Sequence, residues 1–259
     1  MSTFFTLLGK EWLEAWRDKR LLWLPIVMML LAIAQPITYY FMPQILDMAG
    51  NLPPGSVIQI PTPSGEEVLN STLSQFGVMG TAIIVLSVMG SISQERSSGV
   101  LALIMSRQVL PLQYIGSKWL THAGIIWSSF ALAYSLAAYY VVILFKPIPV
   151  SRILAGLLTY SIWILFVMTV TLCMGALFRK TAGIAGTSLL ILGGFSLANT
   201  LFPKVMSWSP ASALSQASSF LINGKGTDSF SVMLCLSLGF IFCIFAGTVL
   251  AFKHYDSYS

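Results

Sequence analysis

Residues 21–42 read LLWLPIVMMLLAIAQPITYYFM, 22 consecutive positions without one Asp, Glu, Lys, Arg or His. At 1.5 Å per residue a helix of that length reaches about 33 Å, enough to cross a hydrocarbon core about 30 Å thick. Similar apolar runs lie at residues 73–93, 119–145, 153–178, 182–202 and 232–252. Over all 259 residues, 56% are hydrophobic and only 9% charged, where a soluble domain carries about 25% charged residues. Mean hydropathy is +0.81. A water-soluble monomer and a disordered chain are both excluded. The predicted fold class is all-α: a polytopic membrane protein forming one domain over residues 1–259. It has an interfacial helix within 1–20, six spans within 21–252 and a tail at 253–259. Pro36 is expected to kink the first span.

Residues 3–19 read as an amphipathic helix. Phe5, Leu8, Trp12 and Trp16 recur at three- and four-residue spacing, with Lys10, Glu11, Glu14, Arg17 and Asp18 on other faces. Trp12, Glu14, Trp16 and Arg17 suit a helix at the membrane–water boundary. The mixed charges and the full-length span that follows do not resemble a signal peptide. Residues 43–71 read as a polar loop containing Asp47, Glu66 and Glu67. Residues 203–229 form a second long loop, in which Ser209-Pro210 and Asn223-Gly224 predict a short helix over 210–222.

The net charge is +5, but the Lys and Arg residues are dispersed among short loops, which argues against nucleic-acid binding. Of the 14 Lys and Arg residues, ten fall on the side of the N-terminus. Four (Lys146, Arg152, Lys204 and Lys225) fall on the other. The richer side is expected to be cytoplasmic, with both termini there. Cys173, Cys235 and Cys243 lie inside apolar runs without a CxxC pair, so neither a disulfide framework nor a zinc site is expected.

No ionisable residue falls near the middle of a span, which argues against a proton-coupled carrier. Ser188 has no base in reach by sequence position and reads as a helix contact. No GxxxxGK[ST] or HExxH occurs. The chain is therefore expected to be non-catalytic, with no cofactor or metal of its own. Gln35, Thr38 and Asn199 are candidate pathway-lining residues, although such groups also bond to their own helix backbone. Gly77, Gly80 and Gly90 of span two, and Gly183, Gly186, Gly193 and Gly194 of span five, are expected to permit close helix packing.

The connector at residues 94–118 is the most informative. It contains Glu95, Arg96, Gly99, Leu101, Pro111 and Lys118 around an apolar run, and predicts a short amphipathic helix over 97–105. An acidic residue after span two, then a glycine, an apolar run, a proline and a basic residue opening span three resembles the permeases of the ABC type-2 exporter family. These are the six-span membrane subunits of type V ABC transporters. Glu95, Gly99, Leu101, Pro111 and Lys118 match the pattern; Val100 stands where the family often has Thr. The resemblance extends to the N-terminal helix, the six spans and the helical insertion between spans five and six.

The resemblance implies a translocation pathway made by two permease subunits, as a homodimer or heterodimer. Separate ATP-binding cassette ATPase subunits would bind the ATP and Mg. Glu95, Arg96, Gly99, Leu101, Pro111 and Lys118 would couple this chain to the ATPase, with Glu95 and Leu101 both meeting it. The setting implied is a bacterial or archaeal plasma membrane. The alternatives are a secondary transporter or channel acting without ATP, or a non-transporting anchor subunit.

Overall fold

The computed structural model describes residues 3–48, 63–107 and 109–255. Among them every regular element is a helix. The order is α1 (Thr3–Arg17), α2 (Arg20–Met48), α3 (Gly65–Gln75), a π-turn (Phe76–Gly80), α4 (Thr81–Val88), α5 (Gly90–Ser97), α6 (Val100–Met105), α7 (Pro111–Leu144), α8 (Val150–Leu177), α9 (Thr181–Leu201), a 3₁₀ turn (Pro210–Ser212), α10 (Ala213–Asn223) and α11 (Phe230–Tyr255). Six helical stretches are long and apolar enough to cross a membrane. Four are α2, α7, α8 and α9; the composite Gly65–Ser97 and the segment Phe230–Lys253 are the others.

Several helices outrun the apolar segments that predicted them. α2 continues through Pro36 and Pro43, so the loop expected at 43–71 is shorter at both ends; residues 49–62 lie outside the described residues. α3 starts at Gly65 because Ser64 and Glu67 form a capping box. The Ser64 N–H donates to Glu67 Oε2 at 2.9 Å, and the Glu67 N–H donates to Ser64 Oγ at 3.3 Å. α7 starts at Pro111, whose missing N–H is harmless in a first helical turn. Its 34 residues span about 51 Å, some 20 Å more than the hydrocarbon core requires. Lys118 therefore lies inside α7 instead of opening it. The tail is also shorter than expected, since α11 runs to Tyr255.

α8 forms the centre of the bundle: 72% of its most apolar window is buried, against 17–22% for α2, α9 and α11. At one end of the bundle, α10 packs on α8 and α3. Arg152 of α8 donates to the carbonyls of Leu221 and Ile222 at 3.4 and 3.2 Å, and pairs with Glu66 at 3.8 Å. The helix expected at 210–222 is present, stopping at Gly224, whose φ of 71° suits glycine. Ser209 adopts the extended N-cap backbone but makes no capping bond with its side chain.

Span two is segmented. At the π-turn Gly80 carries the ring of Phe76 so closely that a Cβ there would lie 2.6 Å from it. Of the three glycines expected to admit another helix, Gly77 meets the Tyr160 hydroxyl of α8, whereas the nearest groups to Gly80 and Gly90 are side chains of their own segment, Phe76 and Gln94. Gly183, Gly186, Gly193 and Gly194 of α9 have no neighbour within 4 Å of a built Cβ among the described residues.

Candidate functional site

At the other end of the bundle, α1 lies beside the first turns of α7. Phe4 approaches Gly116 and Trp12 approaches Gly124, where a Cβ would make ordinary contact at 3.6 Å. Leu7, Glu11 and Ala15 are the buried face of α1, while Phe5, Trp12, Leu13 and Trp16 stay exposed. Arg17 is exposed, and Glu14 is half-buried beside Lys10. Lys19, at φ 55°, turns the chain from α1 into α2.

A charge cluster ties α1 to spans two and three. Glu95 of α5 is 5% exposed and bonds Lys10 and the hydroxyl of Tyr114. Lys118 of α7, with no exposure, lies 3.1 Å from Glu95 Oε1 and 3.0 and 3.1 Å from the two Glu11 oxygens. Lys10 also pairs with Glu11 and Glu14, each at 3.0 Å. Two ammonium groups therefore face three carboxylates. Glu11, Glu14 and Glu95 converge closely enough to hold a cation, but Lys10 already bridges all three. Burial alone would lower the Lys10 pKa; the hydrogen bond it donates to Glu95 and the charges of Glu11 and Glu95 outweigh it, raising the pKa well above its ordinary value. The Tyr114 ring stacks on Phe252 of α11 at 5.1 Å and lies 5.2 Å from the Lys118 ammonium. One turn deeper, His122 bonds Ser91 at 2.8 Å.

Arg96 points elsewhere. It donates to the carbonyls of Ala176 and Phe178 at 3.2 and 3.4 Å, joining α5 to the end of α8. Next comes Gly99, whose φ of 76° starts α6. α6 is shorter than the 97–105 helix expected. Leu101 faces inward, 5% exposed, whereas Leu103 is 70% exposed. Within the single chain Glu95 is paired and Leu101 is buried, so neither is the outermost group of this segment. The carboxylate is fully engaged within the chain, and Val100 and Leu103 form the outward apolar face. A groove of about 440 Å³ separates α6 from α1, bordered by Leu7, Lys10, Leu103 and Arg107.

The structure brings Glu95 and Lys118 together, but sets Arg96, Gly99, Leu101 and Pro111 at distinct positions around them. Lys10, Glu11, Tyr114, Ser91 and His122 were not anticipated as site residues. Their signal is a polar stripe at four-residue spacing, Tyr114-Lys118-His122, matched by Ser91-Glu95 on the facing helix. The candidate pathway residues do not converge. Gln35 lines a groove between α2 and α3, Thr38 bonds its own helix at Ala34, and Asn199 donates to Ala211 at 3.3 Å.

Six apolar helices of spanning length, five of them around a central α8, define a polytopic helical membrane protein. No protein-family model matches the chain. It is similar to a protein of Bacillus subtilis (strain 168) described as the uncharacterized transmembrane protein YxlG, with 43% identity over 258 residues and full coverage of both chains. The chain belongs to the family of that transmembrane protein.

Proposed function

We propose that this chain is the permease subunit of an ATP-binding cassette exporter, with the end carrying α1 and α6 in the cytoplasm. Two such subunits, identical or related, line the pathway, and separate ATPase subunits bind ATP and Mg. The observation that carries this reading is the construction around α6. A short helix offers an exposed apolar face, yet the segment immediately before it is fastened to three other parts of the bundle. Glu95 joins α1 and α7, and Arg96 joins α8.

In this reading the ATPase meets Val100, Leu103 and the groove beside α1. Glu95 and Lys118 do not contact it. They are positioning residues that make α1, α5 and α7 move together when α6 is displaced. Nucleotide binding then shifts a two-state membrane domain by its differential affinity for the two arrangements. Catalysis belongs to the partner, as the absence of a phosphate-binding loop from the sequence supports.

The test is affinity purification of the full chain from its native membrane in mild detergent. A P-loop ATPase is expected in near-equal amount, and Leu103→Asp is expected to release it without loss of membrane insertion. Transport by this chain alone in liposomes, without ATP, rejects the reading in favour of a secondary carrier or channel.

A further inference from the structure

A groove lies between α2 and α3, bordered by the π-turn. Its volume is about 420 Å³, within the range of about 300–1,000 Å³ common for small-molecule sites. Gln35 and Tyr39 of α2, and Ser71, Ser74 and Gln75 of α3, contribute polar side chains. Gln35 lies 15 positions beyond Arg20, about 22 Å along α2, which places the groove in the half of the membrane nearer α10.

These polar groups are under-used. Tyr39 and Ser71 are 3.2 Å apart, and Ser71 and Ser74 donate back to their own helix. Gln75 Oε1 has no donor, and its amide nitrogen meets only the Met79 sulphur at 3.9 Å. The Gln35 carboxamide makes no hydrogen bond with the described residues. Idle amides in a membrane-embedded helix are costly unless another group meets them. The π-turn adds a side opening, because Val78 and Met79 at its edge are 76% and 55% exposed.

None of these lining groups carries a charge at neutral pH. A charged head entering here would find no counter-charge in a medium of low dielectric constant. Hydroxyl and amide heads would find both donors and acceptors.

We propose that the α2–α3 groove binds the head of an uncharged amphiphile bearing several hydroxyl groups, with its apolar chain leaving past Val78 and Met79 into the bilayer. Gln35 and Gln75 select the head by hydrogen bonding, and the absence of charge excludes phosphate-bearing heads. The proposal rests on the exporter reading only in making this occupant a cargo; binding itself needs no ATPase.

The experiment uses the full chain in nanodiscs with three photoreactive diacylglycerol probes of identical chains, bearing a glucosyl head, a phosphoglycerol head or a bare hydroxyl. The glucosyl probe is expected to label the peptide containing Val78 and Met79 at least five-fold more than either other probe. Gln35→Leu with Gln75→Leu should remove that preference. Thermal unfolding of the double variant, and the milder Ser74→Ala, separate lost recognition from lost folding. Equal labelling by all three probes overturns the proposal, as does retained preference in the folded double variant. Self-cross-linking of Met79→Cys in a cysteine-free background also overturns it, by making the groove a contact between two copies. No glucosyl preference in the unaltered chain, with the ATPase still co-purifying, sinks this inference and leaves the exporter reading standing. Selective labelling without any ATPase does the reverse.

Discussion

Lys118 reaches both carboxylate oxygens of Glu11 at 3.0 and 3.1 Å across 107 positions of sequence, with its own side chain wholly buried. Because the same ammonium also meets Glu95, one residue of α7 fastens α1 and α5 at a single point.

Removing that ammonium leaves two buried carboxylates with fewer partners. Lys118→Met is expected to destabilise the bundle by about 3–5 kcal/mol, the usual consequence of breaking a buried pair from one side. Adding Glu11→Gln should recover part of the loss. Thermal unfolding in detergent measures both, and equal stability of Lys118→Met and the unaltered chain would show that the cluster contributes nothing.

The Lys10 pairings should persist in alkali. The folded-state pKa is raised, so the stabilisation is fully present below the ordinary value of 10.5 and fades only as pH climbs towards the higher folded value. Relative to a control cysteine pair within α7, which corrects for the thiolate fraction, a disulfide-trapping pair between α1 and α5 should therefore form equally well from pH 7 to pH 10, where both states keep the ammonium largely protonated. A decline centred near pH 8 would contradict this placement of Lys10.

Gly80→Ala forces its new methyl against Phe76, and overpacking of this kind costs about 1–3 kcal/mol. Gly183→Ala, with open space around it, is the matched control and should change the melting temperature little. Similar losses at the two positions would mean that Phe76 moves freely aside.

Ser64→Ala removes one half of the capping box and should cost about 1 kcal/mol. Hydrogen exchange is the sensitive readout, with faster exchange expected in the first turn of α3 and no change in α8. Unchanged protection in that turn would show that packing alone fixes the start of the helix.

The distribution of Lys and Arg predicts which end of the bundle is cytoplasmic. In a cysteine-free background, Ser106→Cys and Ser207→Cys should react with an impermeant thiol reagent from opposite faces, Ser106 from the cytoplasm. Labelling of both from one face would reject the six-span arrangement.

The six spans were legible because a bilayer demands long uncharged runs, and runs such as 21–42 have few other readings. Helix ends were less so. Polar residues at 65–72 and 111–118 looked like connectors, yet α3 and α7 carry them as regular helix. Hydropathy marks where lipid stops, and backbone hydrogen bonding need not stop there. The contacts of Glu95 were hidden for another reason. Its position after span two was visible, but its partners come from α1 and α7, and no local pattern specifies which distant helix arrives beside it. The stripes at 114, 118, 122 and 91, 95 carried that information only once the two helices were known to face each other.

The distance in sequence between Glu11 and Lys118 also sets an order of assembly. Glu11 emerges from the ribosome about 107 residues before its partner, an interval of roughly 5–20 s at common synthesis rates. Throughout that interval the N-terminal helix has no ammonium from span three to meet its carboxylate. It must wait at the membrane surface, held by its aromatic residues, while two spans are inserted. The arrival of Lys118 then acts as a latch: the first helix to be made is seated only when the third span follows it.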